Sequence, residues 1–260
     1  MNLRCFSPPS GGLGGKKRVM HPGYLRYILF SSLLFLSLLK PSYSQQPDYR
    51  ELFGDDWKKA EKFVNENRNW MEPLLEKNEI SYPLAIAVIF PELVRYSALR
   101  DKMETSMLKI LYINLGEEYA NFSIGQFQMK PSFAEAIREK GPGVMTKRSG
   151  ISFRGQHEFE NITQYRKSIV NDLEDTKIQL NYLIAFLKFC EHEYDLKRMS
   201  ENDRVKFLST VYNYGLDKSE EEIEAMTGKK FYNTKLFKTN NYSYADVSLF
   251  WYNEYPERER

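Results

Sequence analysis

Three short segments of the chain place chemically capable polar side chains where the neighbouring residues are apolar or small. The first is Leu84-Ala-Ile-Ala-Val-Ile-Phe90, an uninterrupted apolar run that ends at Pro91-Glu92. A carboxylic acid delivered by a buried helix loses hydration when it ionises, which raises its pKa towards the range of a general acid. Arg95 lies one helical turn further on, where an i,i+3 ion pair would instead keep Glu92 charged and structural. The second segment is Ser123-Ile-Gly-Gln-Phe-Gln-Met-Lys-Pro131. Gly125 permits close backbone approach, and the Gln128 amide offers a donor and an acceptor to the hydroxyl or amide groups of a polar ligand. Phe127 and Met129 read as packing. The third is Val211-Tyr-Asn-Tyr-Gly215. Tyr212 and Asn213 end an otherwise amphipathic helix, a place where they can equally be its closing turn before a Gly cap.

Other chemistry is poorly supplied. Cys190-Glu-His192 has no companion cluster at metal-ligand spacing, so Cys190 reads as a packed free thiol. No metal or other cofactor is expected.

The elements that must position these residues are helical. Trp57, Phe63, Val64, Trp70, Leu74 and Leu75 recur roughly three and four apart, which predicts a helix after a short polar lead over 45–54. Ser81-Tyr-Pro83 reads as the start of a helix carrying the Leu84–Phe90 run, with Ser81 near the cap and Pro83 in the first turn. Its all-round apolarity marks a segment buried inside a domain. Pro91 lacks an N–H and crowds the Ala87 carbonyl, so a kink or a stop is expected there.

Further helices are predicted over 103–115, with Met107, Ile110, Leu111 and Leu115 sharing a face and Gly116 as cap, and over 131–140. Residues 141–160 hold five Gly or Pro and read as a loop able to border a cleft. A single long helix is expected from about 162 to 194. Ser200-Glu-Asn-Asp203 and Ser219-Glu-Glu-Glu222 resemble capping boxes of two more. In the aromatic tail from Phe231 only a short helical segment, 244–252, is expected. No stretch alternates like a strand. The fold class is mainly α, in four parts: 1–44, an extension 45–80, a principal domain 81–228, and a tail 229–260 packing on it.

The first part reads as a secretory signal. Lys16, Lys17, Arg18 and Arg26 precede Ile28-Leu-Phe-Ser-Ser-Leu-Leu-Phe-Leu-Ser-Leu-Leu39, and Pro41-Ser-Tyr-Ser44 supplies small residues at alternate positions. The apolar core is shorter than the ~20 residues of a spanning helix, so export with cleavage after Ser44 is expected, and membrane association only through an uncleaved segment. Met20 to Ser44 is already a complete signal. Six of the 37 Lys and Arg precede residue 45, leaving 31 against 35 Asp and Glu. Such a mildly acidic chain lacks the basic footprint of a nucleic-acid binder. Cys190 is then the one cysteine left of two, so no intrachain disulfide forms. Three Asn-x-Ser/Thr sequons, at Asn121, Asn161 and Asn241, matter only in a glycosylating host.

In order and character the three polar segments resemble the motifs of the soluble lytic transglycosylase domain, a family related to goose-type lysozymes. There a helix ends in a catalytic Glu, a Gly-x-x-Gln segment precedes a Pro, and an Ala-Tyr-Asn-Ala-Gly turn follows. The corresponding residues are Ala85 to Glu92, Gly125-Gln-Phe-Gln128 with Pro131, and Val211-Tyr-Asn-Tyr-Gly215, within roughly 80–220. The chain departs from the family at Leu93, where a Ser usually follows the Glu (Ser97 lies further on), and in the longer gap from Glu92 to Gln128. Glu117 and Glu118 are the fallback acids. The resemblance implies a lysozyme-like helical domain with a cleft for peptidoglycan glycan strands. It implies Glu92 as acid and then base, Tyr212 orienting it, and Gln128 and Asn213 holding sugar or acetamido groups beside Gly125. The product it implies is a 1,6-anhydro sugar. Two other outcomes stay open: a non-catalytic wall-binding or scaffolding protein on the same fold, and a hydrolytic lysozyme using a partner carboxylate such as Asp101 or Glu104.

Overall fold

The computed structural model describes residues 47–99, 106–120, 122–232 and 242–258. The expected signal segment, Asp101, Glu104, Asn121 and Asn241 lie outside them. Among the described residues the chain is mainly α-helical, and no helix is long and apolar enough to cross a membrane.

The organising element is α3 (Tyr82–Leu99), for which α1 (Tyr49–Phe53) and α2 (Asp55–Lys77) form one flank. Every residue from Ala85 to Phe90 is fully buried, as expected of a helix apolar on all sides. Ser81 opens it, its carbonyl accepting the Ala85 N–H at 3.0 Å. α2 presents Trp57, Ala60, Val64, Met71 and Leu75 to the core at helical spacing. The other sides of α3 are covered by α8 (Glu201–Tyr214) and α10 (Tyr244–Arg258). Between these lie α4 (Ser106–Leu115), α5 (Pro131–Lys140), α6 (Ile162–Glu174), α7 (Thr176–Glu193) and the short α9 (Glu220–Thr227).

Several sequence expectations are corrected. Residues 45–54 are not merely a polar lead: Asp48 caps α1, accepting from the Arg50 and Glu51 N–H groups, and Tyr49 and Phe53 are buried. α3 neither stops nor is abandoned at Pro91 but continues to Leu99. Tyrosines of the tail donate hydrogen bonds to carbonyls on either side of that proline. Tyr244 reaches Val88 at 3.1 Å and Tyr232 reaches Pro91. The long helix expected over 162–194 is two, α6 and α7, parted at Asp175. Its extended backbone and side chain, which accepts from the N–H groups of Lys177 and Ile178, start a new helix. On α4 the expected apolar face is largely solvent-facing: Met107, Ile110 and Leu115 are exposed, and Tyr112 is the buried residue.

The tail also differs. Lys230–Tyr232 (β1) pairs antiparallel with Tyr242–Ser243 (β2), strands too short to leave an alternation in the sequence. α10 runs to Arg258 rather than to 252. The aromatic richness of both ends has one physical outlet. Trp57 meets Phe90 edge-on with ring centres 4.6 Å apart, and Phe90 stacks on Trp251 at 5.1 Å. Tyr49, Phe53 and Phe250 extend the cluster. Pairs of this kind contribute about 0.5–1.5 kcal/mol each beyond their burial. The tail is therefore part of the core around α3.

Candidate active site

The helix that buries Ile86 to Phe90 also buries the acid that follows. Glu92 retains 4% of its surface. Leu93 beside it is fully buried, which an apolar side chain at that position requires and a Ser would not. Arg95 is half-buried, and its Nη1 donates to both Glu92 oxygens, at 2.7 and 2.9 Å. Lost hydration pushes the Glu92 carboxyl above the usual carboxylate range, while the Arg95 charge and hydrogen bonds and the Lys130 ammonium pull it down without cancelling the rise. The ion pair foreseen as the structural alternative is thus formed, and the acid it holds is desolvated nonetheless.

The second wall is a tight reversal. Ile124 and Met129 form a two-residue bridge, exchanging N–H···O bonds of 2.9 and 3.1 Å, and Gly125 to Gln128 turn between them. Gly125 has φ +70°, and a Cβ there would meet Gln179 Nε2 at 2.1 Å and the Leu173 carbonyl at 2.4 Å. Only glycine fits both the conformation and the space. Gln128 adopts φ +50°, uncommon for a residue with a side chain and typical of positions held by their surroundings. The holder is Gln179 on α7, fully buried. Its Oε1 accepts the Phe127 N–H at 3.0 Å, and its Nε2 donates to the carbonyls of Ile124 and Leu173 at 2.8 Å each. Phe127 and Met129 are buried. The Gln128 side chain donates to the Gly125 carbonyl at 2.8 Å, and its amide oxygen has no hydrogen-bond donor among the described residues.

The third wall ends α8. Tyr212 is buried between the rings of Phe133 and Phe186, at 5.3 and 5.4 Å. Its hydroxyl donates to the Phe127 carbonyl at 2.8 Å. Orienting Glu92, the role implied by the resemblance, is therefore not what this hydroxyl does; it ties α8 to the turn. Burial and the nearby Glu92 charge push its pKa well up, so it stays neutral. Gly215, at φ +131°, closes the helix with its N–H on the Val211 carbonyl.

These walls enclose one cleft of about 480 Å³, lined by Glu92, Arg95, Gln128, Tyr212 and Asn213 among others. Gly125 is not a lining residue; it shapes the turn from behind. Of the fallback acids, Glu117 lines the cleft and Glu118 does not. Ser97 is turned elsewhere, donating to Asp56 at 3.3 Å and lining a separate cavity with Leu93. Residues 141–160 do not border this cleft. Three 3₁₀ turns organise them, and part of the segment lines an adjoining cavity that shares Glu135 and Glu139 with the cleft. Arg138 pins the segment from below through the Arg154 carbonyl (3.4 Å), while also donating to Tyr182, Ser168 and Asp172 at 2.7, 2.8 and 2.7 Å.

Sequence reasoning missed Gln179, Lys130, Tyr232 and the cleft carboxylates Glu135 and Glu139. For Gln179 the signal was present: an amide between Ile178 and Leu180 in an otherwise apolar stretch. Glu135 and Glu139 read as ordinary exposed positions of an amphipathic helix. Cys190 is buried, and burial pushes its thiol well up, which leaves it unreactive. Chemically, the cleft offers one desolvated carboxylic acid beside a guanidinium, with two amides and further carboxylates along the walls. Comparison with protein-family models, with curated proteins and with solved structures finds no match for the chain.

Proposed function

We propose that the chain is an exported lytic transglycosylase on a lysozyme-like fold, cleaving the β-1,4 bond from N-acetylmuramic acid to N-acetylglucosamine in peptidoglycan. One observation carries the reading. Three motifs separated by up to 120 residues, chosen for chemistry alone, line a single cleft whose innermost member is a buried acid with a raised pKa. Protonated Glu92 gives its proton to the leaving glycosidic oxygen as the bond from the muramoyl C1 breaks. The resulting carboxylate takes the proton of the muramoyl C6 hydroxyl, whose oxygen closes on C1 to give the 1,6-anhydro product and a regenerated acid. The substrate's acetamido group stands in for a second carboxylate, as in the exceptions to the two-carboxylate scheme. Gln128 and Asn213 hold sugar or acetamido groups. Tyr212 supports Gln128 through the Phe127 carbonyl instead of contacting the acid.

Mass spectrometry of a digest of purified peptidoglycan tests this. Anhydro-muropeptides made by the wild type and lost in Glu92→Gln support it. Reducing ends indicate hydrolysis, for which Glu135 and Glu139 are the carboxylates at hand. A second reading has its own support: the hold of Arg95 Nη1 on both Glu92 oxygens, with Leu93 in place of the family's Ser, suits a wall-binding protein that has lost the chemistry. Binding to peptidoglycan with no products would establish that reading and refute the first.

A further inference from the structure

Arg95 holds Glu92 in an unusual way. One nitrogen, Nη1, serves both carboxylate oxygens, whereas a guanidinium normally meets a carboxylate with two parallel N–H groups. Its Nε and Nη2 consequently have no hydrogen-bond partner among the described residues. The side chain keeps 22% of its exposure against 5% for that of Glu92. Both line the cleft, so an entering ligand meets the guanidinium before the acid. The plane of the group is fixed from behind by Tyr232, whose ring centre lies 4.7 Å away. That ring is itself held by its hydroxyl on the Pro91 carbonyl and by edge contact with Tyr244. Lys130, exposed and without an ion-pair partner among the described residues, lines the same end. The remaining charged lining residues are acidic: Glu117, Glu135, Glu139 and Asp217. Positive charge in the cleft is thus gathered at Glu92.

We propose that Arg95 is the anion-recognition residue of the cleft. Its free Nε–Nη2 edge takes a carboxylate carried by the ligand beside the bond presented to Glu92, and in doing so loosens its hold on that acid. The planar edge suits a carboxylate bidentately and a neutral hydroxyl poorly. The groups facing Glu92 are Arg95 on its own helix, Lys130 before α5, Tyr212 on α8, Tyr232 on β1 and Tyr244 at the start of α10. Burial keeps the three tyrosines neutral, which leaves Arg95 and Lys130 as the cations that oppose protonation. A bound carboxylate offsets that opposition, and Glu92 takes a proton from solvent. A ligand without the carboxylate leaves the Glu92 titration where it is. As a substrate-selecting device this rests on the glycan-cleaving reading; as an anion site it does not.

The experiment uses the intact chain labelled with ¹³C at Glu carboxyls, the Glu92 signal being assigned with Glu92→Gln. Its titration is followed by NMR with N-acetylmuramic acid, with N-acetylglucosamine, and with chloride, all at one ionic strength. The two sugars differ by the 3-O-lactyl ether, whose carboxylate is free in this probe and on glycan strands that carry no peptide. N-acetylmuramic acid is expected to displace the Glu92 titration upward, while N-acetylglucosamine and chloride leave it in place. In Arg95→Gln the titration starts higher and the muramic displacement disappears. Affinity for N-acetylmuramic acid falls about tenfold or more, as loss of a charge-assisted bond implies, and affinity for N-acetylglucosamine is unchanged. Arg95→Lys keeps the cation, so its titration starts near that of the wild type while the muramic preference is still reduced. Equal effects of the two sugars, no effect of either, or a muramic displacement that survives Arg95→Gln each overturns the proposal. Turnover is not read here, so a normal muramic response with no products in the digest sinks the enzyme reading and leaves the anion site standing.

Discussion

Gln179 offers the sharpest test of how the cleft is built. Replacing it by Leu keeps the volume and removes three hydrogen bonds, two to the turn and one to the Leu173 carbonyl on α6. The Ile124 carbonyl retains a partner, since it also accepts the Met129 N–H at 3.1 Å. The Phe127 N–H is left with none, and the Leu173 carbonyl sits near the end of α6, where intrahelical donors run out. A buried polar group left unpaired costs about 1–3 kcal/mol, so two give roughly 2–6 kcal/mol, less about 1 kcal/mol for the apolar replacement. A loss of about 3 kcal/mol is expected. In a domain of this size that corresponds to a fall in Tm of about 6–12 °C. Thermal unfolding measures the loss, and amide hydrogen exchange locates it, with Phe127 losing protection before the α3 amides. A fall below about 2 °C, or an unchanged Phe127 amide, would refute the argument that Gln179 holds the turn.

Further outcomes follow from the same geometry. Gly125→Ala places a methyl group against Gln179 and the Leu173 carbonyl at a positive φ, and should cost about 2–4 kcal/mol in chemical denaturation. Arg138→Met leaves Asp172 without its guanidinium; with Asp172 partly exposed, a loss of about 2–4 kcal/mol is expected by denaturant titration, somewhat less than for a fully buried pair. Trp251→Ala removes the ring stacked on Phe90 and should cost about 3–5 kcal/mol, readable as a lowered midpoint in urea. For pH, the folded Glu92 pKa is raised above its unfolded value, so the native state binds the extra proton between the two. Its contribution to stability is therefore complete below the unfolded carboxylate pKa and lost as pH rises through the folded one. On the proposed activity, peptidoglycan cleavage should fall over that same rise, and a rate that instead increases through it would show that Glu92 does not act as an acid.

How much of this was legible in the sequence depended on distance along the chain. Helix α3 was readable because seven consecutive apolar side chains allow only a buried helix or strand, and Ser81-Tyr-Pro83 decides between them. α5, α8 and α9 were readable from local cap chemistry at Pro131, Ser200 and Ser219. The break at Asp175 was hidden because the apolar repeat continues on both sides of it, and only the side chain's two hydrogen bonds to backbone reveal a new start. The tail was illegible for a different reason. Its aromatic residues have no period of their own, since they are arranged by the rings of Phe90, Phe53 and Trp57, which lie far away in sequence. Among the site residues, Glu92, Gln128 and Tyr212 could be chosen for their chemistry, but the partners that fix them could not. Gln179 lies 51 positions beyond Gln128 and Tyr232 lies 137 positions beyond Arg95, and no local rule links such pairs.

That dependence bears on how the acid is held in the helix. Leu93 seals the helix against the core, so the residue after Glu92 has no polar atom to offer the carboxylate. Arg95, one turn on, is its partner. A lone arginine at this depth would be costly. Here its charge meets Glu92 on one side and the Tyr232 ring on the other. Tyr232 reaches that place because β1 and β2 bring the tail back across α3, with Tyr244 bonded to the Val88 carbonyl one turn earlier. The tail, the proline and the arginine therefore form one arrangement. The tyrosines bond the Val88 and Pro91 carbonyls, and one of them braces the guanidinium whose outer edge faces the cleft.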